Sequence, residues 1–382
     1  MKLLYLHSVG LNSGKANITS VLFLCDSFSR QGLEVTLAVP QSGVARSKKE
    51  IVAFVEDYIG RPFSFDIIEY PKLAMLERFS SIGSYFSIRK IVKKYNPDVC
   101  FVRVPLFLDI VLKMGVAAIY ESHNYLLHSK YPVLDKYWKR KLIRYAKKDS
   151  LKKFITISQA LADFWIEAGI RPEKILALHD GFDHFSFDKE IDQSSAITSL
   201  GLSHDEKYVV YAGSLYPNRG IETILSLGEQ FPQVTFIVLG GPEHQKNHFQ
   251  NLALKNNIRN IRFVGWISHS KVKTYLFAAD VLLMIWSKNV PTIAYCSPLK
   301  VFEYMAAGRV IVGHGFPTVK EVLKNGETAH LVSPDSFDDL VDSLSRALKQ
   351  GPSSPMAKNA RNLAFSRYSW DERVKRIIKA IE

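Results

Sequence analysis

Short apolar runs alternate with longer amphipathic stretches along almost the whole chain, and this alternation constrains the fold more than any other feature. "KLLYLHSV" reads as a strand, "NITSVLFLCDSFSRQG" as a helix ending at Gly32, and "EVTLAV" as the next strand, closed by Pro40. The helix "SIRKIVKKYNP", the strand "DVCFVRV", the helix "LFLDIVLKMG" and the strands "AAIYES" and "KKFITIS" continue the series. Strands separated by helical connections predict a doubly wound parallel sheet. The pattern breaks at "FDKEIDQSSAITSLGLSHDEK", a polar, Ser-rich stretch without a strand, and then restarts at "KYVVYAGSL". The second series runs through "GIETILSLGEQF", "VTFIVLG", a helix near 243–256, "IRFVGW", "SHSKVKTYLFAA", "DVLLMIW", "RVIVG" and "AHLVS". The expected architecture is α/β with two Rossmann-like domains at 1–187 and 207–365 facing an interdomain cleft. Residues 188–206 are the linker, and 366–382 form a C-terminal helix expected to pack back on the first domain. Ligands of such sheets bind outside the carboxyl ends of the strands.

The bulk properties narrow the class. At 382 residues the chain exceeds the size at which a single core keeps growing. No run reaches the roughly 18–20 apolar residues that span a bilayer, and the opening "MKLLYLHSVG" reads as a buried strand rather than a secretory leader. Cys25, Cys100 and Cys296, odd in number and widely spaced, suggest neither a disulfide framework nor a zinc site, and fit a reducing cytoplasm. No metal or cofactor is expected. The net charge of +13 is uneven, with +9 in residues 1–187 and +4 in 188–382. The N-terminal half therefore suits an anionic partner.

Three loops after strands of the second series carry the chemistry. In the first, Gly213 and Ser214 follow "VVYA", and Arg219 precedes Gly220 at a helix start. Small residues admit a ligand to the backbone, and a helix N-terminus beside a guanidinium suits a phosphate. The second is "SPLKVFEYMAAGRVIVG", read as a helix capped by Ser297 with Pro298 at its first position. Lys300 sits in its first turn, where the helix dipole disfavours a cation by about 0.3–1 kcal/mol. An anion held by Pro298, Leu299, Lys300 and Val301 would resolve that conflict. Glu303, at i+3 from Lys300, shares its face and could accept hydrogen bonds from a pair of ribose hydroxyls. The third loop is "GHGFPTVKE". Together they describe a nucleoside diphosphate. The absence of G-x-G-x-x-G and of G-x-x-x-x-G-K-[ST] weighs against dehydrogenase and P-loop readings. Gly14, in "NSGKANITS", is a further candidate ligand contact.

"YAGSLYPNRGIETIL", "VLGGP", "IRFVGWISHSKVKTYLFAADVLLM" and "SPLKVFEYMAAGRVIVG" resemble, in order and spacing, the second domain of retaining glycosyltransferases of family 4, which have the GT-B fold. "ISQALADFW", "LHDGFDHFSF" and "SRYSWDERVKRI" extend the resemblance over nearly the whole chain, most strongly from Lys153 onward. It implies that residues 297–303 lie against the donor's diphosphate, that Glu303 holds the ribose, and that Arg219 reaches the phosphates. It also places His123, in "YESHN" with Glu121, close to the donor sugar. The implied catalytic set is His123, Glu121, Arg219 and Lys300, with same-face attack assisted by the leaving phosphate, whose charge Arg219 and Lys300 stabilise.

Departures from the family pattern are equally specific. Tyr295 stands where the first of two glutamates is common. Gly213-Ser214-Leu215 replaces Gly-Arg-Leu, so one phosphate-binding arginine is missing and Lys300 is expected to replace it. Asp180-Gly181-Phe182-Asp183 replaces Asn-Gly-Val-Asp.

Residues 136–153, "KYWKRKLIRYAKKDSLKK", hold nine basic residues and one acid. Trp138, Leu142, Tyr145 and Ala146 form an apolar stripe, read either as core-facing or as docking on anionic lipid. No nucleic-acid motif accompanies the charge. The expected function is transfer of a hexose, with retention, from a GDP- or UDP-sugar to a glycan or lipid-linked saccharide in cell-surface polysaccharide or glycolipid synthesis. The expected place is the cytoplasmic face of the cell membrane, with peripheral contact to anionic lipid. The alternatives are a catalytically weak sugar-nucleotide-binding partner subunit, which the missing glutamate favours, and a basic adaptor on a borrowed fold.

Overall fold

The first series of apolar runs forms strands β1 (Lys2–Leu6), β2 (Glu34–Pro40), β3 (Asp66–Tyr70), β4 (Val99–Val102), β5 (Ala117–Ser122), β6 (Leu151–Thr156) and β7 (Ile175–Ala177). The second forms β8 (Lys207–Ala212), β9 (Val234–Leu239), β10 (Ile261–Gly265), β11 (Val281–Met284), β12 (Val310–His314) and β13 (His330–Val332). These ranges come from a computed structural model that describes residues 1–11, 16–41, 46–71, 80–127 and 131–382. Gly14 lies outside the described residues.

Within the described residues each series makes one parallel sheet, in the orders β3-β2-β1-β4-β5-β6-β7 and β10-β9-β8-β11-β12-β13. Strands such as Leu3–Leu6 and Val281–Met284 are apolar on both faces and buried on both, as helix-covered parallel sheets require. Strand order reverses between β1 and β4 and again between β8 and β11, the two points where such sheets open a ligand crevice. The expected α/β class with two Rossmann-like, GT-B-type sheets is what forms.

The chain divides into one unit of Met1–Asp180, Tyr295–Ser297 and Trp370–Glu382, and another of Gly181–Ala294 and Pro298–Ser369. The first divide falls at 180/181 rather than after 187. Phe182 bridges to Ser369 and packs its ring on Phe187 and Phe365, all in the second unit. Residues 188–206, expected to be linker, contain the helix Gln193–Ser199, whose Asp192 side chain caps it and whose Ala196 and Ile197 are buried. Polar composition concealed a helix with only one apolar edge. The C-terminal helix Trp370–Ile381 lies in the first unit, where Asp371 accepts from Ser27 and pairs with Arg30 on the helix Ala16–Arg30.

The helix Lys48–Ile59, the helix Gln159–Glu167, β3 and β7 also escape the sequence reading. The helix Lys48–Ile59 opens on a capping box in which the Ser47 hydroxyl accepts from the Glu50 amide and the Glu50 carboxylate accepts from the Ser47 amide.

Candidate functional site

In the C-terminal unit, Tyr211 near the end of β8 organises the first loop. Its single phenolic proton is shared between the Ser214 carbonyl (3.2 Å) and the Arg219 carbonyl (3.0 Å), fixing the turn that carries Gly213 and Ser214. The helix Leu299–Ala307 is tied to the same strand end by Tyr304, whose hydroxyl accepts from the Ala212 amide at 2.7 Å. Lys300, four residues before Tyr304 and so on its face, is thereby laid over the Tyr211 ring, with Nζ 3.6 Å from the ring centre and 5.6 Å from that of Trp286. The Arg219 guanidinium sits 4.5 Å above the same Trp286. Both cations thus share one aromatic wall. Gly213 makes room for this, since a Cβ there would meet Lys300 Nζ at 2.5 Å. Gly240 is equally constrained, with φ +109 and a Cβ position 2.1 Å from the Gly213 carbonyl.

Lys300 is 9% exposed, and its Nζ has no hydrogen-bond partner among the described residues. Burial pushes its ammonium well below the ordinary lysine value and the Arg219 charge pushes it further, with Glu303 opposing. Such a group is costly to leave in place without an anion.

The helix start differs from expectation. Pro298, not Ser297, occupies the cap position, and no side chain caps the helix. The Ser297 hydroxyl instead accepts from the Asp180 amide at 2.9 Å, within the N-terminal unit. The Val301 amide closes the first turn on the Pro298 carbonyl (3.0 Å) and its side chain is buried, so Val301 offers a ligand nothing. Leu299 is part-buried.

Glu303 does not pair with Lys300. Its Oε1 meets His269 Nε2 at 2.6 Å. Burial alone would lower the His269 imidazole, but the Glu303 charge and hydrogen bond outweigh it and hold His269 above its ordinary value. A carboxylate has about four acceptor sites, so this pairing orients Glu303 while leaving capacity for a hydroxyl. A histidine whose folded value is raised adds stability that is complete below its unfolded value near 6.5 and is lost as pH rises through the folded value. Glu303→Gln should therefore lower the His269 titration midpoint in NMR to or below about 6.5. An unmoved midpoint would mean that Glu303 does not control His269.

In the N-terminal unit, Glu121 on β5 is fully buried. Its Oε1 lies 2.7 Å from Arg103 Nε and 2.7 Å from His123 Nε2, and its Oε2 accepts from Arg373 Nη2 at 2.9 Å. Burial would raise this carboxyl, but Arg103, Arg373 and His123 hold it far below the usual range. Glu121 is thus a permanent anion that positions His123 rather than a proton carrier. Arg373, from the C-terminal helix, also donates to the carbonyls of Leu178 and His179. Tyr295 packs in this unit's core, against Tyr125, and donates to the Asn124 side-chain carbonyl at 3.2 Å.

Residues 192–381 match the model of the family described as Glycosyl transferases group 1, and residues 19–184 match Glycosyltransferase Family 4. The chain belongs to this glycosyltransferase family. Curated relatives of this chain include an uncharacterised glycosyltransferase of Methanocaldococcus jannaschii, 23% identical over 59% of this chain and 58% of its own length. A lipopolysaccharide 1,2-N-acetylglucosaminetransferase of Salmonella typhimurium is 26% identical over 58% of this chain and 60% of its own. A D-inositol 3-phosphate glycosyltransferase of Mycobacterium bovis is 26% identical over 53% and 42%. The aligned region thus spans less than two thirds of these relatives. Among solved structures, the Anabaena protein HepE in complex with UDP and glucose has a TM-score of 0.72 at 16% identity, covering 99% of both chains. Sucrose-phosphate synthase from Thermosynechococcus elongatus reaches 0.74 at 16% identity with full coverage of both. These likenesses establish the fold.

The structure brings Gly213, Ser214, Arg219 and Lys300 together, with Glu303 one turn along, and separately brings Glu121 to His123. Sequence reading missed Tyr211, Trp286, His269, Arg103 and Arg373. Tyr211 lay inside a quoted motif, as an aromatic residue near a strand end carrying a hydroxyl that burial obliges to bond. No local signal marked Arg103 or Arg373, because their partner Glu121 is distant in sequence.

Proposed function

We propose that this glycosyltransferase transfers a hexose from a UDP- or GDP-sugar, with retention, to a hydroxyl of a glycan or lipid-linked saccharide. The observation that carries the reading is the buried Lys300 ammonium, without a hydrogen-bond partner among the described residues, beside Arg219 at the carboxyl end of β8 and the start of a helix. Two cations and a helix N-terminus suit a diphosphate. In this reading Arg219 and Lys300 stabilise the departing charge, Glu303 takes the ribose, and His123, held by Glu121, contacts the sugar. The role that a metal would play falls to the two side chains.

A thermal-shift panel of UDP, GDP and their sugars tests it, because a ligand bound to the folded state raises stability as RT ln(1 + [L]/Kd). The reading fails if no nucleoside diphosphate stabilises the protein. The second reading, a catalytically weak binding subunit, is favoured by Tyr295, whose phenol rather than a carboxylate meets Asn124. Donor hydrolysis by the purified protein would exclude it.

Membrane contact belongs to the same proposal, with a change in the surface invoked. Among the described residues no helix is long and apolar enough to cross a membrane. On the helix Pro132–Ala146, Leu142, Tyr145 and Ala146 of the expected lipid-facing stripe are buried in the core, and Trp138 is part-buried. The exposed apolar side chains are instead Tyr131, Val133, Leu134 and Tyr137, followed on the exposed surface by Lys136, Arg140, Arg144 and Lys147. Each basic residue near an anionic surface contributes about 1 kcal/mol. Changing those four basic residues to Gln should release the protein from anionic vesicles at low salt while leaving nucleotide binding intact. Cosedimentation that survives the change, or ignores lipid charge, removes the membrane from the proposal.

A further inference from the structure

One buried group in the N-terminal unit has no role in the reading above. His7 follows β1 directly, and parallel pairing sets Leu6 beside Val102 and Val102 beside Tyr120. The next residues along, His7, Arg103 and Glu121, therefore stand side by side at the carboxyl ends of β1, β4 and β5, where strand order reverses. His7's backbone is fully engaged, its amide donating to Ala38 (2.9 Å) and its carbonyl accepting from the Tyr70 hydroxyl (2.8 Å). Its imidazole is not. The side chain is buried, and neither Nδ1 nor Nε2 has a partner among the described residues. The same holds for the Tyr5 hydroxyl, whose ring lies edge-on to His7 at 6.4 Å, and for Arg103 Nη2. Buried side chains in folded proteins ordinarily find partners. Several orphaned atoms gathered at the switch point of one sheet point to a ligand.

The chemistry selects the ligand class. Burial, with the Arg103 and His123 charges adding to it, lowers the His7 imidazole to about 3 despite Glu121, so it is neutral at physiological pH. A neutral imidazole offers one donor and one acceptor. A hydroxyl can donate to the one nitrogen or accept from the other, so neighbouring sugar hydroxyls complement the ring, whereas a phosphate or carboxylate asks for donors or cations alone. The Arg103 charge beside it is already balanced by Glu121, whose Oε1 lies 2.7 Å from Arg103 Nε.

We propose that His7 is a sugar-binding residue, whose protonated ring nitrogen donates to one saccharide hydroxyl and whose other ring nitrogen accepts from a second, at the carboxyl end of β1, beside Arg103. The proposal rests on the transferase reading for which saccharide arrives, but not for its test. The full-length chain carrying [15N]histidine is titrated with glucose to about 200 mM and, separately, with inorganic phosphate, and His7→Phe assigns the His7 resonances. Glucose should shift both His7 ring nitrogens and phosphate should not. In the transferase assay His7→Phe should lower turnover at least tenfold, with nucleoside diphosphate affinity unchanged and the melting temperature equal or higher, since a polar group without a partner has been removed. His7→Gln, which keeps one donor and one acceptor, should recover part of the turnover. Unshifted His7 resonances, a shift with phosphate alone, or turnover within twofold of the parent in His7→Phe would overturn the proposal. A lower melting temperature with turnover reduced only by the unfolded fraction would make His7 structural. If no nucleotide sugar supports turnover, the transferase reading fails while the glucose titration still decides His7.

Discussion

Lys300→Met is expected to make the protein more stable and a worse binder of nucleoside diphosphates. Methionine fills a similar volume and packs well on aromatic rings, so the cage of Tyr211 and Trp286 stays filled while an ammonium without a hydrogen-bond partner is removed. The sign follows from linkage. The lysine's folded value is depressed, so its charged form is less favoured in the folded chain than in the unfolded one, and folding carries that cost. Removing the group should raise stability by about 1–3 kcal/mol, the cost of an unsatisfied buried polar group. Binding moves the other way. A charge-assisted hydrogen bond to phosphate is worth about 1.5–3 kcal/mol, hence a roughly ten- to hundredfold loss of affinity. Arg219→Ala should lose comparable affinity without the gain in stability, because Arg219 is only part-buried. Calorimetric titration of UDP and GDP, with melts of the free proteins, checks both halves. A mutant that melts lower and binds as the parent does would make Lys300 a packing residue.

This opposition of stability and binding sets what a sequence can reveal about such a site. The central strands were legible because a strand buried on both faces must be apolar throughout, as in Leu3–Leu6 and Val281–Met284. The helix Leu299–Ala307 was legible from Pro298 and Gly308, the latter at φ +63 where a residue other than glycine is strained. Lys300 was conspicuous because it violates helix electrostatics, and the structure adds that it is also buried. Legibility ended where partners come from far along the chain. Glu303 pairs with His269, 34 residues away, and Glu121 with Arg373, 252 residues away. Nothing local to any of these positions encodes the pairing. The basic helix shows a second limit. Its stripe of Trp138, Leu142, Tyr145 and Ala146 was correctly periodic, but periodicity names a shared face and not the solvent beside it. The loss of the Ser297 cap is a third. Pro298 fills the cap position, and the Asp180 amide takes the hydroxyl.

Glu121→Gln is expected to be among the most destabilising single changes in the N-terminal unit. Glu121 is the shared anion of two arginines, Arg103 and Arg373, which are themselves almost wholly buried. Removing one member of a buried ion network leaves the others uncompensated and costs about 3–5 kcal/mol, or roughly 10 °C in melting temperature for a unit of this size. His123 loses its hydrogen-bond partner at the same time, so activity should fall beyond what unfolding explains. The pH dependence gives an independent check. The Glu121 carboxyl is depressed in the folded state, so its contribution is present above the unfolded value of about 4.3 and is lost as pH falls below it. The stability difference between parent and Glu121→Gln should therefore be constant near neutrality and shrink steadily in acid. Replacing Glu121, Arg103 and Arg373 together by apolar residues of similar volume separates the two roles. Buried ion networks are often no more stabilising than such replacements, so the triple variant should regain much of the stability. It should not regain turnover, because no carboxylate then holds His123 Nε2. A triple variant that is both stable and active would show that Glu121 serves the fold alone.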